Sequence, residues 1–443
     1  MTDYEKIISE LSSKNKRLSL LVKDLIKPNE NLAKTVSKLE QKLIYYENSH
    51  SSPSANSLLY KKQKKDKTKI HQIVGTFHGT RINYDMFCVN MNLENSVKPL
   101  ISIIILNYNA GELLINCVES IKKSNFQNFE IIVVDNNSND ESHLICKKKN
   151  KEIILINNLK NFGFCEGNNI GVRNAKGKFI IIINPDTTVT PNWLNGFLDA
   201  FQNNGDGIYQ PKIISLDDKK TILSTGNMIH LFGFGFARDK GNKYTDHLEK
   251  VEKIPYSSGT CIFTTKKLFE KLGMFDPFIF LYHDDLDLSW RATLQKIDSF
   301  YVPTITIFHK SSYNFGWSGK KFFWLERNRK YCILTHYSKE TQKKIATQLF
   351  LTDLLVWITY LIKGFIWIKI KAELDIMKNK DAINKKYLEI EKTKMISDEE
   401  IMQKFSDTIW IPTYITNNFS SKLFNLILKK LSKKARIKMK LNV

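Results

Sequence analysis

No CxxC pair occurs among the six cysteines, Cys88, Cys117, Cys146, Cys165, Cys261 and Cys332. Their scatter argues against a zinc site and supplies no disulfide framework, so a reducing cytoplasm is the expected home. A GxxxxGK[ST] phosphate loop is missing, and Gly163, Gly167 and Gly171 do not form GxGxxG, which leaves a dinucleotide-binding fold as a weak candidate. No apolar run reaches the ~20 residues of a membrane-spanning helix. Leu349 to Ile370 comes nearest, and Asp353 and Lys363 interrupt it. Residues 1–30 lack the charged, apolar, small-residue order of a secretory leader, so export is not expected. Acidic residues are outnumbered 45 to 67, and the net charge of +22 asks for nucleic acid, anionic lipid or a polyphosphate ligand as partner.

What is present is a folded chain, 443 residues with 42% hydrophobic and 12% aromatic content, long enough for two or three domains. Leu32, Val36, Leu39 and Leu43 step like an a/d seam within residues 1–48, which reads either as self-association through a coiled coil or as packing on the chain's own body. Residues 49–98 combine a linker, HSSPSANS, with a basic run and unassigned β-like alternation. At Leu100 the character changes. LISIIILNYN, FEIIVVD, Ile153–Ile156 and KFIIII are buried strands, separated by helical stripes and turn-rich loops. Strand, helix, strand, helix, strand predicts a parallel sheet with helices on its faces, an α/β fold.

Such a sheet binds ligands outside the carboxyl ends of its strands, where Asp135 and Asp186 both fall. Asp186, in NPDT, reads in isolation as a turn residue after Pro185. A second acidic group, Asp284, Asp285 and Asp287, opens a helix in HDDLDLSWRA, where the helix dipole favours negative charge. His309 closes a late strand, SFYVPTITIFH. Carboxylates in a cleft would repel a diphosphate unless a divalent cation joined them, and oxygen ligands with one imidazole suit Mg²⁺ or Mn²⁺.

The segments ISIIILNYN, EIIVVDNNSND, NFGFCEGNNIGVRNAKGKFIIIINPDT, SSGTCIFTTKKLFEKLGMFD and FLYHDDLDLSWR occur in this order over residues 99–312. Together they resemble the inverting glycosyltransferases of family 2, and among these the rhamnosyltransferase-like members that build surface polysaccharides. The resemblance implies a GT-A nucleotide-sugar-binding fold, a mixed, mostly parallel sheet flanked by helices, over residues 99–318. It implies that Asn107, Tyr108 and Asn109 line the nucleotide pocket and that Asp135 reads the base or ribose. Asn137, Asn161, Gly163 and Asn169 are added to that pocket. Asn184 and Asp186 stand for the metal-binding acidic motif, which His309 completes. Asp285 is placed as the base that takes the acceptor's proton, with Asp284 where relatives carry glutamate. Two departures stand out: Lys296 sits where a glycine is common, and His283 where an aromatic is. The QxxRW motif of the processive synthases is missing, which implies one sugar per acceptor encounter.

Residues 319–443 are expected to be helical. KKFFWLERNRKYCILTHY reads as a helix beside the cleft, and Leu349–Ile370 as an interfacial helix or one packed on the catalytic domain. The terminal LFNLILKKLSKKARIKMKLNV is basic and amphipathic, a membrane-surface pattern. The expected protein is therefore a cytoplasmic enzyme at the inner face of the cell membrane. It would transfer a sugar from a dTDP- or UDP-sugar to a lipid-linked or surface-glycan acceptor. Two other classes compete with it. A basic nucleic-acid-binding protein would interleave aromatics with Lys and Arg on strands, and a nucleotidyltransferase would carry an early glycine-rich loop with a basic residue; neither feature is present.

Overall fold

The computed structural model describes residues 98–244, 250–310, 318–410 and 418–441. These belong to one compact unit, Ser96–Val443. The leucine repeat of residues 1–48 and nearly all of the 49–98 segment lie outside the described residues.

The first half alternates as its hydrophobic pattern dictates: β1 (Ile101–Asn107), α1 (Glu112–Lys122), β2 (Phe129–Asp135), α2 (Ser142–Lys149), β3 (Ile154–Asn157), α3 (Gly163–Asn174) and β4 (Phe179–Ile183). β5 (Thr187–Val189), α4 (Trp193–Asn204), β6 (Ile208–Ser215) and β7 (Ile222–Ser224) follow. Next come a hairpin of β8 (Asn227–Ile229) with β9 (Gly235–Ala237), then β10 (Glu252–Ile254), β11 (Cys261–Thr265), α5 (Lys266–Lys271), α6 (Asp284–Leu294) and β12 (Ser299–His309).

The main sheet runs β10-β12-β6-β11-β4-β1-β2-β3, with β5 added to β12 and β7 to β6. Along that path only β11 and β10 run against the other strands, which makes the sheet mixed but mostly parallel. Its central strands are sealed on both faces, since β-strand side chains alternate. Ile101, Ile103 and Ile105 of β1 join a core with α1 and α4. Ile104 and Leu106 join the core on the opposite face, with α3 and α6.

Among the described residues seven helices follow: α7 (Gly319–His336), α8 (Lys339–Lys344), α9 (Ala346–Ile362), α10 (Ile366–Lys378), α11 (Lys380–Thr393), α12 (Asp398–Gln403) and α13 (Asn418–Lys438). They share the core of the sheet domain rather than forming a separate one. Trp290 of α6 is fully buried and packs edge-on against Tyr337 and Phe405, with ring centroids 5.0 and 4.9 Å away. The apolar stretch Leu349–Ile370 is not one helix, because α9 ends at Ile362 and α10 begins at Ile366. Its two interrupting charges have separate settings. Asp353 faces inward onto Arg329, Lys330 and Lys369, while Lys363 caps the end of α9. No helix among the described residues is long and apolar enough to cross a membrane.

Candidate active site

Parallel pairing in register sets Asn107 of β1 beside Asp135 of β2 at the carboxyl edge of the sheet. Asn107 Nδ2 donates to Asp135 Oδ1 at 2.8 Å and to the hydroxyls of Ser138 and Ser142 at 3.1 and 2.9 Å. The Ser138 amide donates to Asp135 Oδ2 at 2.9 Å, and His143 Nδ1 stands 3.2 Å from Oδ1. Asn109 and Asn137 both adopt left-handed backbone, at φ 52 and 65, as short amide side chains tolerate. Asn109 Oδ1 accepts from the Asn139 amide at 2.7 Å, and Asn137 is exposed. These side chains form a polar knot at the strand ends, and of this group Tyr108 lines the large cleft beside it.

The cleft is about 590 Å³. Asn161 and Gly163 line it, held by Asn136, which was not singled out from sequence. Asn136 Nδ2 donates to Asn161 Oδ1 at 2.9 Å and to the Gly163 carbonyl at 3.1 Å, while its Oδ1 accepts from Asn158 Nδ2 and the Phe162 amide. Gly163 has φ 81, and a Cβ there would sit 2.6 Å from the Phe280 carbonyl oxygen, so only glycine lets the loop approach this closely. Asn169 stands apart from the cleft. It is 1% exposed, and both ends of its amide are spent on the Phe275 backbone, at 2.8 and 3.1 Å.

Beyond β4 the chain turns through Asn184, Pro185 and Asp186. β5 then pairs antiparallel with the end of β12, which brings His309 opposite Thr187. His309 Nε2 lies 3.1 Å from Asp186 Oδ2, and both line the cleft together with Asn184. The Lys310 amide donates to the Asp186 carbonyl at 2.9 Å and fixes this corner. One carboxylate and one imidazole converging on a polar cleft form a donor set that fits Mn²⁺ or Mg²⁺, with diphosphate and water oxygens free to complete the shell.

Asp284 and Asp285 open α6 and also line the cleft. The two residues before them, Tyr282 and His283, are both left-handed, at φ 65 and 64, a costly conformation for bulky side chains that turns the acidic pair into the site. Asp285 Oδ2 accepts from the Gly259 amide and Oδ1 from the Leu286 amide, both at 2.8 Å. A Cβ at Gly259 would meet Asp284 Oδ2 at 2.9 Å, so a side chain there would displace that carboxylate. Burial pushes both carboxyls up, and for Asp284 the neighbouring Asp285 charge adds to the rise. The two amide donors favour the ionised form of Asp285, so the pair's retained proton belongs on Asp284. Asp287 is different. Burial alone would raise it, yet the Arg291 guanidinium, 2.6 Å away, and His336, 3.3 Å away, hold its carboxyl well below the usual range.

Among the described residues, two groups of three metal-ligating side chains lie away from this cleft. Asp287, Cys332 and His336 are buried around that Arg291 pair, and Glu326, Asp353 and Glu373 surround the buried ammonium of Lys369. Both already hold a positive side chain. The cleft's remaining wall was not legible as a site: Lys240, Lys321, Tyr256, Tyr282 and Trp410 all line it. Lys321 does fall in the basic-aromatic stretch expected to lie beside the cleft.

A mixed, mostly parallel sheet flanked by helices, with a polar cleft at its strand-end edge, is similar to the architecture of GT-A glycosyltransferases. Residues 102–273 match the model of Glycosyl transferase family 2, and this part of the chain is a family 2 glycosyltransferase domain. Among curated relatives, a low-salt glycan biosynthesis hexosyltransferase, Agl10, of Haloferax volcanii is 22% identical over 222 residues, 48% of this chain and 67% of the relative. Glycosyltransferase GlyG of Streptococcus pneumoniae is 36% identical over 109 residues, 24% of this chain and 36% of that one. The matched part thus spans only about a third of the second relative's length. Among solved structures, GalNAc-T7 with UDP, GalNAc and Mn²⁺ superposes with a TM-score of 0.47 at 16% identity, covering 64% of this chain and 58% of that one. TarS 1-349 of S. aureus in complex with UDP gives 0.41 at 15%, covering 76% and 91%.

Proposed function

We propose that the protein is a metal-dependent, inverting, non-processive glycosyltransferase. In this reading it moves a sugar from a dTDP- or UDP-sugar to a hydroxyl of a lipid-linked or surface-glycan acceptor at the inner membrane face. The observation that carries the reading is the meeting, in one cleft, of the Asp186–His309 pair and an Asp285 carboxylate oriented by two backbone amides. Asp186 and His309 would hold the divalent cation, which when bound neutralises charge on the departing diphosphate. Asp285 accepts the proton of the acceptor hydroxyl, and its burial makes it a stronger base than an exposed aspartate. Asp284 keeps a proton and so spares the base a second negative neighbour. The polar knot of Asn107 and Asp135 holds the strand ends that support the nucleoside.

Calorimetric titration with UDP, dTDP and GDP, each with and without Mn²⁺, tests the donor site. Metal-dependent binding of one pyrimidine diphosphate, lost in Asp186→Ala, is the expected result. Metal-independent binding, or equal binding by the variant, overturns the assignment.

A further inference from the structure

Two lysines face the cleft and take no part in the machinery above. Lys240 follows the β8/β9 hairpin, and Lys321 stands in the first turn of α7. Both are half-buried. Neither forms an ion pair with a carboxylate among the described residues, and the Lys321 ammonium instead lies 5.6 Å from the Tyr282 ring centre. Burial holds both ammonium groups below the usual lysine range, and repulsion from Lys321 adds to this for Lys240. Two like charges drawn out of water with no carboxylate at ion-pair distance are unfavourable, whereas the buried Lys369 and the half-buried Lys394 are both paired with carboxylates. Such a pair in a cleft is the arrangement an anionic ligand relieves. The donor diphosphate has its own place beside Asp186 and His309, on the strand-end edge. The hairpin and α7 contribute nothing to that edge.

We propose that Lys240 and Lys321 form a subsite for a phosphate group carried by the acceptor, so that the acceptor is a phosphate-bearing molecule rather than a neutral glycan. The proposal rests on the reading of this cleft as a glycosyltransferase site with Asp285 as base. Trp410, on the same wall, offers an apolar face to whatever the phosphate is attached to.

The full chain, saturated with Mn²⁺ and whichever of UDP and dTDP it binds (UDP below), is titrated with glucose 1-phosphate and with geranyl diphosphate, which stand for the two sources of such a phosphate. Glucose and geraniol serve as uncharged controls. The expected result is that at least one phosphate ligand binds tenfold or more tightly than its control. That gain falls to within twofold in Lys240→Gln/Lys321→Gln and is kept in Lys240→Arg/Lys321→Arg, while UDP affinity is the same in all three proteins. The stronger of the two ligands identifies the source. Phosphate ligands no better than their controls, or a gain that survives the Gln pair, would overturn the proposal. Loss of UDP binding in the Gln pair would overturn it too, by assigning the lysines to the donor. Failure of the unmodified protein to bind either UDP or dTDP with Mn²⁺ sinks the glycosyltransferase reading instead, and is read before the lysine variants are compared.

Discussion

Asp284 and Asp285 are chemically identical neighbours in unlike surroundings. Asp285 is held by the amides of Gly259 and Leu286, while Asp284, 6% exposed, is pushed up by burial and by its neighbour's charge. Transfer should therefore show an acid limb above the ordinary aspartate range, because the base works only when deprotonated. Asp285→Asn is expected to lower transfer on the order of 10²–10⁴-fold while leaving UDP binding unchanged, a pattern that stopped-time product assays and titration together resolve. For stability the sign runs the other way at Asp284. Above the ordinary aspartate range the folded protein keeps a proton that the unfolded chain has released, so stability falls as pH rises toward the raised value. Asp284→Asn cannot lose that proton. Its melting temperature should match the parent near pH 4 and exceed it by a few degrees at pH 8, a gap that thermal scans across pH would reveal or refute. The identity of the pair was legible in HDDLDL, as was the Asp186–His309 combination. Their partners were not, because Gly259 and Asn136 act through backbone and amide contacts that only the folded chain creates. Lys296 shows the reverse. The family resemblance marks it as sitting where a glycine is common, and its φ of 62 gives the reason.

Among the elements, the buried strands announced themselves by isoleucine runs, and β1, β2, β4 and β12 fall where the pattern put them. The C-terminal apolar stretch was harder to read, since hydropathy gives amount but not the break between α9 and α10. What the structure adds is a face. Phe350, Leu354, Ile358, Leu361 and Ile362 of α9 are 46–76% exposed, spaced along one side of the helix. α13 packs on α9 and exposes Leu423 and Leu426 in its first half and Lys429, Lys430, Lys433 and Lys434 in its second. Apolar groups beside a lysine cluster are complementary to an anionic bilayer surface, where each lysine adds about 1 kcal/mol. Leu354→Glu/Ile358→Glu should abolish co-sedimentation with phosphatidylglycerol-containing vesicles. Retained binding, or a parent that elutes as a dimer which this variant dissociates, would assign the face to protein contact instead.

Taken whole, the molecule is tied together by buried charge as well as by its core. Lys369, fully buried, reaches Glu326 at 2.5 Å, Asp353 at 2.7 Å and Glu373 at 2.5 Å, joining α7, α9 and α10. Removing one ammonium leaves three carboxylates without their common partner. Lys369→Ala is expected to lose about 3–5 kcal/mol in urea unfolding; a loss under 1 kcal/mol would show that Arg329 and Lys330 suffice. A second tie has a different reach. Asp287, paired with Arg291 of its own helix, lies 3.3 Å from His336 of α7, so the helix that opens with Asp284 and Asp285 packs directly on the one that carries Lys321. In the proposed reading, the wall that meets an acceptor and the group that deprotonates it are therefore set directly against each other. On that reading, a shift of α7 that altered acceptor choice would also move the base. New acceptor preferences should arise by exchanging side chains on a fixed scaffold, at positions such as Lys240 and Trp410, while the Asp287 junction stays as it is.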